Sequence, residues 1–301
     1  MSIGAVITVG TFDGVHRGHQ QVLDVLRRTA QARNERSVVV TFDPHPLRIV
    51  RPESAPPLLT TAAEKIEILA QSGIERVALL RFTAALAAYP PRQFVDEILI
   101  DKLGMTHLVI GYDHGFGRGR SGDVDTLRAI GREVGFGVDV VEPVTTDAGA
   151  VSSSLVRDLV QAGNVAAAAD ALGRPYSITG TVVRGEGQGR KLGFPTANID
   201  VPNPEKLIPH EGIYAVRAAL RDRFVDGVLH LGPRPTFAGL PPSIEVHLFD
   251  FDEDIYGRRV RVDFIERIRD IAHFQSMDAL VKAMEADCAE ARRLLHDGSV
   301  R

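Results

Sequence analysis

Two histidines three residues apart, His16 and His19, lie in the stretch VGTFDGVHRGH (9–19), directly after the apolar run Ala5–Val9. Imidazoles at i and i+3 lie near one face of a helical turn. After a strand and at the mouth of a helix, four roles are open to them: metal ligation, catalysis, a phosphate clamp, or turn decoration. Zinc would need further ligands; His45 and His114 are available, but neither stands in HExxH spacing. A strand–helix junction favours anions, because free first-turn amides and the helix dipole point into it. Gly10 and Gly14 would let a phosphate come close to the backbone. So placed, both imidazoles could donate to phosphate oxygens and stabilise charge that develops during phosphoryl-group transfer.

Other stretches carry chemistry of the same kind. In VSSSLVRDLVQAG, Ser152, Ser153 and Ser154 stand where a helix would begin and Arg157 is expected on its first turn. Hydroxyls, free amides and a guanidinium make a clamp for triphosphate oxygens; taken alone, the segment also reads as an ordinary N-cap with a solvated arginine. TFDPHP, with Asp43 and His45, and GYDHGFGRGRSGD, with Asp113 and Phe116, each follow an apolar run and belong on loops at one sheet edge. VVRGEGQGRKLGFPTANI is neither a GxxxxGK[ST] phosphate loop nor a GxGxxG opening a helix, since FPTANI continues in extended form. In SIEVHLFDFDEDIYG, period-2 alternation puts Glu245, His247, Phe249 and Phe251 on one strand face and Ile244, Val246 and Leu248 on the other. A carboxylate beside aromatics is a costly, partly buried charge or a functional base; without further context it is a solvated edge-strand glutamate.

These segments need two frameworks. Apolar runs at Ala5–Val9, Val38–Phe42, Val77–Leu80, His107–Ile110 and Val138–Val141 alternate with helical patterns. One of these patterns opens with Thr61 and Glu64 in capping-box spacing and stops at Gly73; another, PPRQFVDEILIDKLG, starts with proline and ends with glycine. Strand–helix alternation over about five units predicts a doubly wound, Rossmann-like parallel sheet, whose ligands sit outside the carboxyl ends of the strands. After VAAAADALG the pattern changes to short strands, YSITGTVVRG, GIYAVRAALR, FVDGVLHLG, SIEVHLFDF and RRVRVDFIERI, and closes with an amphipathic segment from Ser276 to His296. A small antiparallel β-barrel packed by one terminal helix is expected. The class is α/β with two domains, 1–173 and 174–301.

Composition narrows the classes. A chain of 301 residues with 44% hydrophobic and 25% charged residues fits an ordinary globular protein. A net charge of −4 with scattered basic residues speaks against nucleic acid as a partner. No run approaches the ~18 apolar residues of a membrane span, and the N-terminus lacks a signal-peptide pattern. The single cysteine, Cys288, excludes an internal disulfide and a cysteine-rich zinc site, in keeping with the cytoplasm. It shares a helical stripe with Leu280, Val281, Met284, Ala291 and Leu295 and reads as a small buried hydrophobe.

GxFDGxHxGH resembles the signature of nucleotidyltransferases that carry HxGH at the first strand–helix junction, and VSSSLVR resembles their ISSTxIR element. GRKLGFPTANI resembles the riboflavin kinase signature. Together with TFDPHP, GYDHGFG, GPRPTF (232–237) and the final helix, the likeness covers nearly the whole chain and points to the bacterial bifunctional riboflavin kinase/FMN adenylyltransferase (FAD synthetase) family. The resemblance implies ATP-dependent phosphorylation of riboflavin to FMN by the C-terminal domain. It implies adenylylation of FMN to FAD, with release of pyrophosphate, by the N-terminal one.

The resemblance also implies residue roles. Gly10, Phe12, Asp13, Gly14, His16, His19, Ser152, Ser153, Ser154 and Arg157 would hold ATP for adenylylation, with both histidines catalytic; Asp43, His45, Asp113 and Phe116 would meet the flavin. Gly185, Gly187, Gly189, Arg190, Lys191, Gly193, Pro195, Thr196 and Asn198 would bind the kinase ATP, and Thr196 and Asn198 its Mg²⁺. Glu245 would take the proton of the riboflavin 5′-hydroxyl. Riboflavin, FMN, FAD and ATP are the implied partners, with assembly into a homo-oligomer left open. Three positions depart from the family pattern: His114 for an aromatic, His230 for an asparagine, and RDIAHF for a segment with an acidic residue. These point to altered flavin affinity rather than lost activity. Two rival readings are a nucleotidyltransferase for another substrate, which would not need the barrel, and a non-catalytic flavin-binding protein, against which the intact site residues speak.

Overall fold

The five early apolar runs become five parallel strands. The structure, a computed structural model, describes residues 4–147, 149–185, 187–221, 223–232 and 243–297, with the backbone alone of Arg120, Gln188, Lys191 and Asp297. The chain divides into two compact units, Met1–Ser153 and Ser154–Arg301.

In the first unit β1 (Ala5–Val9), β2 (Arg36–Asp43), β3 (Arg76–Arg81), β4 (Met105–Gly111) and β5 (Gly137–Val141) pair in the order β3-β2-β1-β4-β5. The helices of this unit are α1 (Arg17–Arg33), α2 (Pro46–Val50), α3 (Ala62–Ala70), α4 (Ala84–Ala87), α5 (Pro91–Phe94) and α6 (Val124–Val134). α5 runs on into a π-helical stretch, Val95–Ile100, so the expected single helix changes its winding midway. β1 is central, and every residue of AVITV is buried. Its alternate side chains feed two cores: Ala5, Ile7 and Val9 pack with Phe94, Leu99 and Leu127, whereas Val6 packs with Leu23, Leu26 and Leu69. Each such side chain contributes roughly 1.5–3 kcal/mol of burial. Strand order reverses between β1 and β4, so the loops after those strands open the crevice where such sheets take ligands.

After a small ribbon, β6 (Thr145–Thr146) with β7 (Gly149–Ala150), come α7 (Ser153–Gln161) and α8 (Val165–Leu172), the latter stopped by Gly173 in the left-handed conformation. The second unit holds β8 (Tyr176–Val183), a helical turn α9 (Gln188–Lys191), β9 (Ala197–Asp200), β10 (Gly212–Leu220), β11 (Arg223–Gly232), β12 (Ser243–Leu248), β13 (Arg259–Arg269) and α10 (Met277–Asp297). Six of these strands close an antiparallel barrel in the order β10-β11-β12-β9-β8-β13. Tyr214 and Phe264 meet edge to face in its core at 5.2 Å. α10 lays Ala291 and Leu295 against Ala215 and Phe249, and Cys288 joins that cluster half-buried. Burial pushes its thiol pKa up, as fits a packing residue and not a nucleophile. The Asp287 carboxylate, also buried, takes both arms of the Arg269 guanidinium at 2.7 and 2.6 Å, which ties α10 to β13.

Two expectations need correction. β12 ends at Leu248; Phe249, just past its end, still meets the His247 ring edge-on at 5.8 Å, whereas Phe251, beyond the turn at Asp250, does not continue the face of Glu245 and His247. Asp250 turns left-handed (φ 53°), the Phe249 amide bonds Asp226 O, and the Phe249 ring goes under α10 with Arg292 stacked on it at 4.2 Å. Phe251 lies under Arg223. Arg157 is the fifth residue of α7 and so opens its second turn rather than sitting on the first.

Candidate active sites

The loop leaving β1 is conformationally costly. Phe12 and Val15 hold φ of 47° and 40°, a region that disfavours L side chains and above all β-branched ones, by roughly 1–2 kcal/mol each. Such strain persists where the surroundings enforce it. Here Asp13 does so. Its buried carboxylate accepts from Leu59 N (3.1 Å), Thr60 N (2.9 Å) and the Thr60 hydroxyl (3.2 Å), while Thr60 Oγ1 accepts from Gly14 N (3.0 Å). Asp13, expected to touch ATP, thus spends its carboxylate on the loop. The Ser153 hydroxyl donates to Asp13 O (2.9 Å), fastening the serine segment beside it.

His16 proves to be the N-cap of α1, its Nδ1 accepting from His19 N at 3.4 Å. The two imidazoles stack, with centroids 3.7 Å apart and planes 20° apart, and Phe12 leans on His19 at 4.9 Å. A Cβ at Gly18 would lie 3.2 Å from the His16 ring, so glycine between the histidines gives that ring its room. The stacked pair, with His16 buried, lies at the N-terminus of α1 beyond the carboxyl end of β1, where first-turn amides favour an anion. Gly10 continues the ladder through its amide to Val40 O.

Of the flavin-side expectations, Asp43 and Asp113 are exposed. His45 caps α2, accepting from Leu47 N at 3.2 Å. Phe116 is buried in the core against Phe94 (5.1 Å), and His114 meets its edge at 5.5 Å. Ser152 precedes α7, Ser154 lies in its first turn, and Arg157 is buried. Among the described residues no group of three or more His, Cys, Asp or Glu is placed so as to hold a metal ion.

The second site lies on the barrel. β12 places Glu245 between Asn198 of β9 and His230 of β11, in one row across three strands. Thr196 Oγ1 donates to Glu245 Oε2 at 3.2 Å and Ser243 Oγ to Oε1 at 3.3 Å. His247, two residues on, bonds Pro195 O at 2.8 Å and meets Phe194 edge-on, fixing the FPTAN segment against the same strand. Gly187 and Gly193 take left-handed φ, and the short turn α9 lies between them. A Cβ at Gly185 would collide with the Asn198 carboxamide, so the glycine loop lies directly over that residue. Gly189 and Arg190 fall within α9, with the backbone of Lys191. His230 is largely buried; burial lowers its pKa, opposed by the Glu245 charge. Of GPRPTF only Gly232 falls among the described residues.

A parallel sheet with a histidine pair at a helix N-terminus by its switch point, followed by a barrel carrying a carboxylate among hydroxyl and amide groups, has the make-up of a two-domain, nucleotide-using transferase. Residues 1–155 match the family model for FAD synthetase, and residues 172–295 match that for riboflavin kinase. Over 290 residues the chain is 38% identical to the bifunctional riboflavin kinase/FMN adenylyltransferase of Escherichia coli (strain K12), covering 96% of this chain and 92% of that one. It is 40% identical over 292 residues to the Pseudomonas fluorescens protein of the same name, covering 97% and 93%. A solved structure described as a macrolide-efflux protein from Streptococcus pneumoniae superposes with a TM-score of 0.86 at 31% identity, covering 95% and 93%. No helix among the described residues is long and apolar enough to cross a membrane. The chain belongs to the bacterial bifunctional riboflavin kinase/FMN adenylyltransferase family.

Proposed function

We propose that this chain makes FAD in two transfers at two separate sites, with residues 1–173 as the adenylyltransferase and 174–301 as the kinase. On the barrel, Glu245 takes the proton of the riboflavin 5′-hydroxyl as that oxygen bonds the γ-phosphorus of ATP; the bond to the bridging oxygen breaks and ADP leaves. The observation that carries this reading is the meeting of Thr196, Asn198 and Glu245 from segments 49 residues apart in sequence. A base must lie within hydrogen-bond reach of its proton, and Glu245 is held by two hydroxyl donors on a strand rather than left to swing on a loop.

Within residues 1–173 a phosphate oxygen of FMN attacks the α-phosphorus of ATP, and pyrophosphate leaves. The nucleophile is already ionised, so the site needs a cradle and not a base. His16 and His19, with the free amides of α1, supply donors to the charge on the transferring group. The family likeness adds Ser152, Ser153, Ser154 and Arg157 as ATP-binding residues, and the loops bearing Asp43, His45, Asp113 and Phe116 receive the flavin.

Mg²⁺ fits the kinase residues: Thr196 and Asn198 offer hard oxygens and are few, as suits an ion that keeps waters and phosphate oxygens. The ion would neutralise phosphate charge; Thr196 and Asn198 would hold it, and the glycine loop would cover the phosphates. Nucleic acid has no part in this function, and the cytoplasm, where ATP is at hand, is its setting.

Incubation with riboflavin, ATP and Mg²⁺, with products separated by chromatography, is expected to give FMN and then FAD. Chelation of Mg²⁺ is expected to stop the kinase step and its return to restore it. FMN without FAD would remove the adenylyltransferase reading, and no flavin product would remove both.

A further inference from the structure

Lys65 is a lysine that the family signatures leave out, and its position is unusual. It lies on α3, yet its side chain is buried, with 7% exposed. Its ammonium donates to Thr11 O at 3.1 Å and to Phe42 O at 2.9 Å. Lysine is almost never fully buried unless its charge is answered. Burial pulls its pKa down, and the charges of Asp13 and Asp43 push it back up. The two carbonyls are the informative part. Thr11 leads from β1 into the strained loop that ends in His16, and Phe42 leads from β2 into Asp43 and His45. The Thr41 hydroxyl donates to the same Thr11 O at 3.0 Å, from the fully buried side of β2.

We propose that Lys65 is a positioning residue of the adenylyl transfer: its ammonium clasps the nucleotide loop to the flavin loop and sets the distance between the two substrates. The inference rests on the assignment of loops 10–19 and 43–46 to ATP and flavin. In-line attack requires the reacting atoms within about 3–3.5 Å, and a misplacement of about 1 Å costs on the order of 100-fold in rate. A clasp on the backbone of both loops acts on that distance while leaving each substrate its own contacts. Loss of the clasp therefore falls on kcat, with each KM preserved.

The test is FAD formation from supplied FMN by Lys65→Met, which fills the same space without donors. The expected result is a kcat reduced about 100-fold, KM for ATP and for FMN within about threefold of the parent, and an unchanged kinase rate on the same chain. Lys65→Arg, which keeps charge and donors, is expected to recover part of the loss. Thr41→Val, an isosteric change at the other donor to Thr11 O, is expected to lower kcat about tenfold with the same KM pattern, and it decides the matter if Lys65→Met does not fold. An unchanged kcat in either folded variant, or a loss carried by KM, overturns the clasp. His19→Ala serves as the reference: if it too retains FAD synthesis, the site assignment fails, whereas a dead His19→Ala beside an active Lys65→Met rejects the clasp alone.

Discussion

The two proposed nucleotide sites are built in opposite ways. The loop after β1 is locked: Asp13, Thr60, Lys65 and Ser153 hold it through buried and part-buried hydrogen bonds in a backbone shape that L residues resist. The loop over β9 is glycine-built; His247 holds only its last residues, and Glu245 stands half-exposed beside it. On the proposed assignment the difference follows from the nucleophile. A phosphate oxygen is already charged, so the first site gains by rigid placement of donors. A hydroxyl must lose a proton, so the second gains by a carboxylate on a strand under a loop that can accommodate nucleotide. Separate chemistry on one chain makes the contrast testable, because each half serves as the folding control for the other.

Glu245→Gln cuts deepest. It keeps the shape and hydroxyl contacts but removes the base, and FMN formation is expected to fall by about 10³-fold, within the range of general-base contributions. FAD formation from supplied FMN is expected to stay within about twofold. Joint loss of both rates in a folded variant would mean that the two sites are not separate. His19→Ala is expected to do the reverse by about 10²-fold, the cost of one charge-stabilising donor, so that FMN accumulates from riboflavin. Product ratios over time report both outcomes in one assay.

Asp13→Asn tests rigidity rather than chemistry. An amide in place of the carboxylate must turn an N–H toward Leu59 N or Thr60 N, leaving a buried donor unmatched. The expected cost is about 2 kcal/mol of stability for the first unit, read by urea unfolding, and about tenfold in FAD synthesis. A variant that is less stable yet equally active would show that the locked loop serves folding alone.

Much of this contrast could be read in the sequence, and its limits have physical reasons. Apolar runs locate all five parallel strands; for the inner β1, β2 and β4 the reason is that a strand buried on both faces has little choice of residue, whereas the edge strands β3 and β5 are only partly buried. Thr61 and Glu64 form the capping box that their spacing announced. His16 as an N-cap was not legible, since histidine is not among the usual capping residues. Lys65 was hidden for the same kind of reason: one lysine on a helix reads as solvated until the carbonyls it meets, 23 and 54 residues away, are known. Alternation persists in the letters through Phe251 while the backbone turns at Asp250, so the letters alone do not mark where the face of β12 ends. Asn198 opposite Glu245 depends on strand register, which only closure of the barrel defines.

The smallest expected effect concerns His230, the departure that lies directly across from Glu245. Burial holds its pKa below the ordinary histidine value of about 6.5, Glu245, Glu211 and Asp287 oppose that, and Arg269 adds to it. Between the lowered folded value and 6.5 the unfolded chain binds a proton that the folded chain does not. Stability therefore rises with pH through that window: the contribution of a neutral His230 is complete above it and is lost as pH falls below about 6.5. His230→Asn removes the proton-binding group, and the gap between denaturation midpoints at pH 7.5 and pH 5.5 is expected to narrow. It also sharpens the comparison of the two sites. Asparagine has no proton to gain beside the proposed kinase base, so any share of the kinase rate's pH dependence that comes from His230 is expected to vanish in the variant, while adenylylation keeps the parent's profile. An unchanged kinase profile would separate His230 from Glu245 in function, despite their shared row on the sheet.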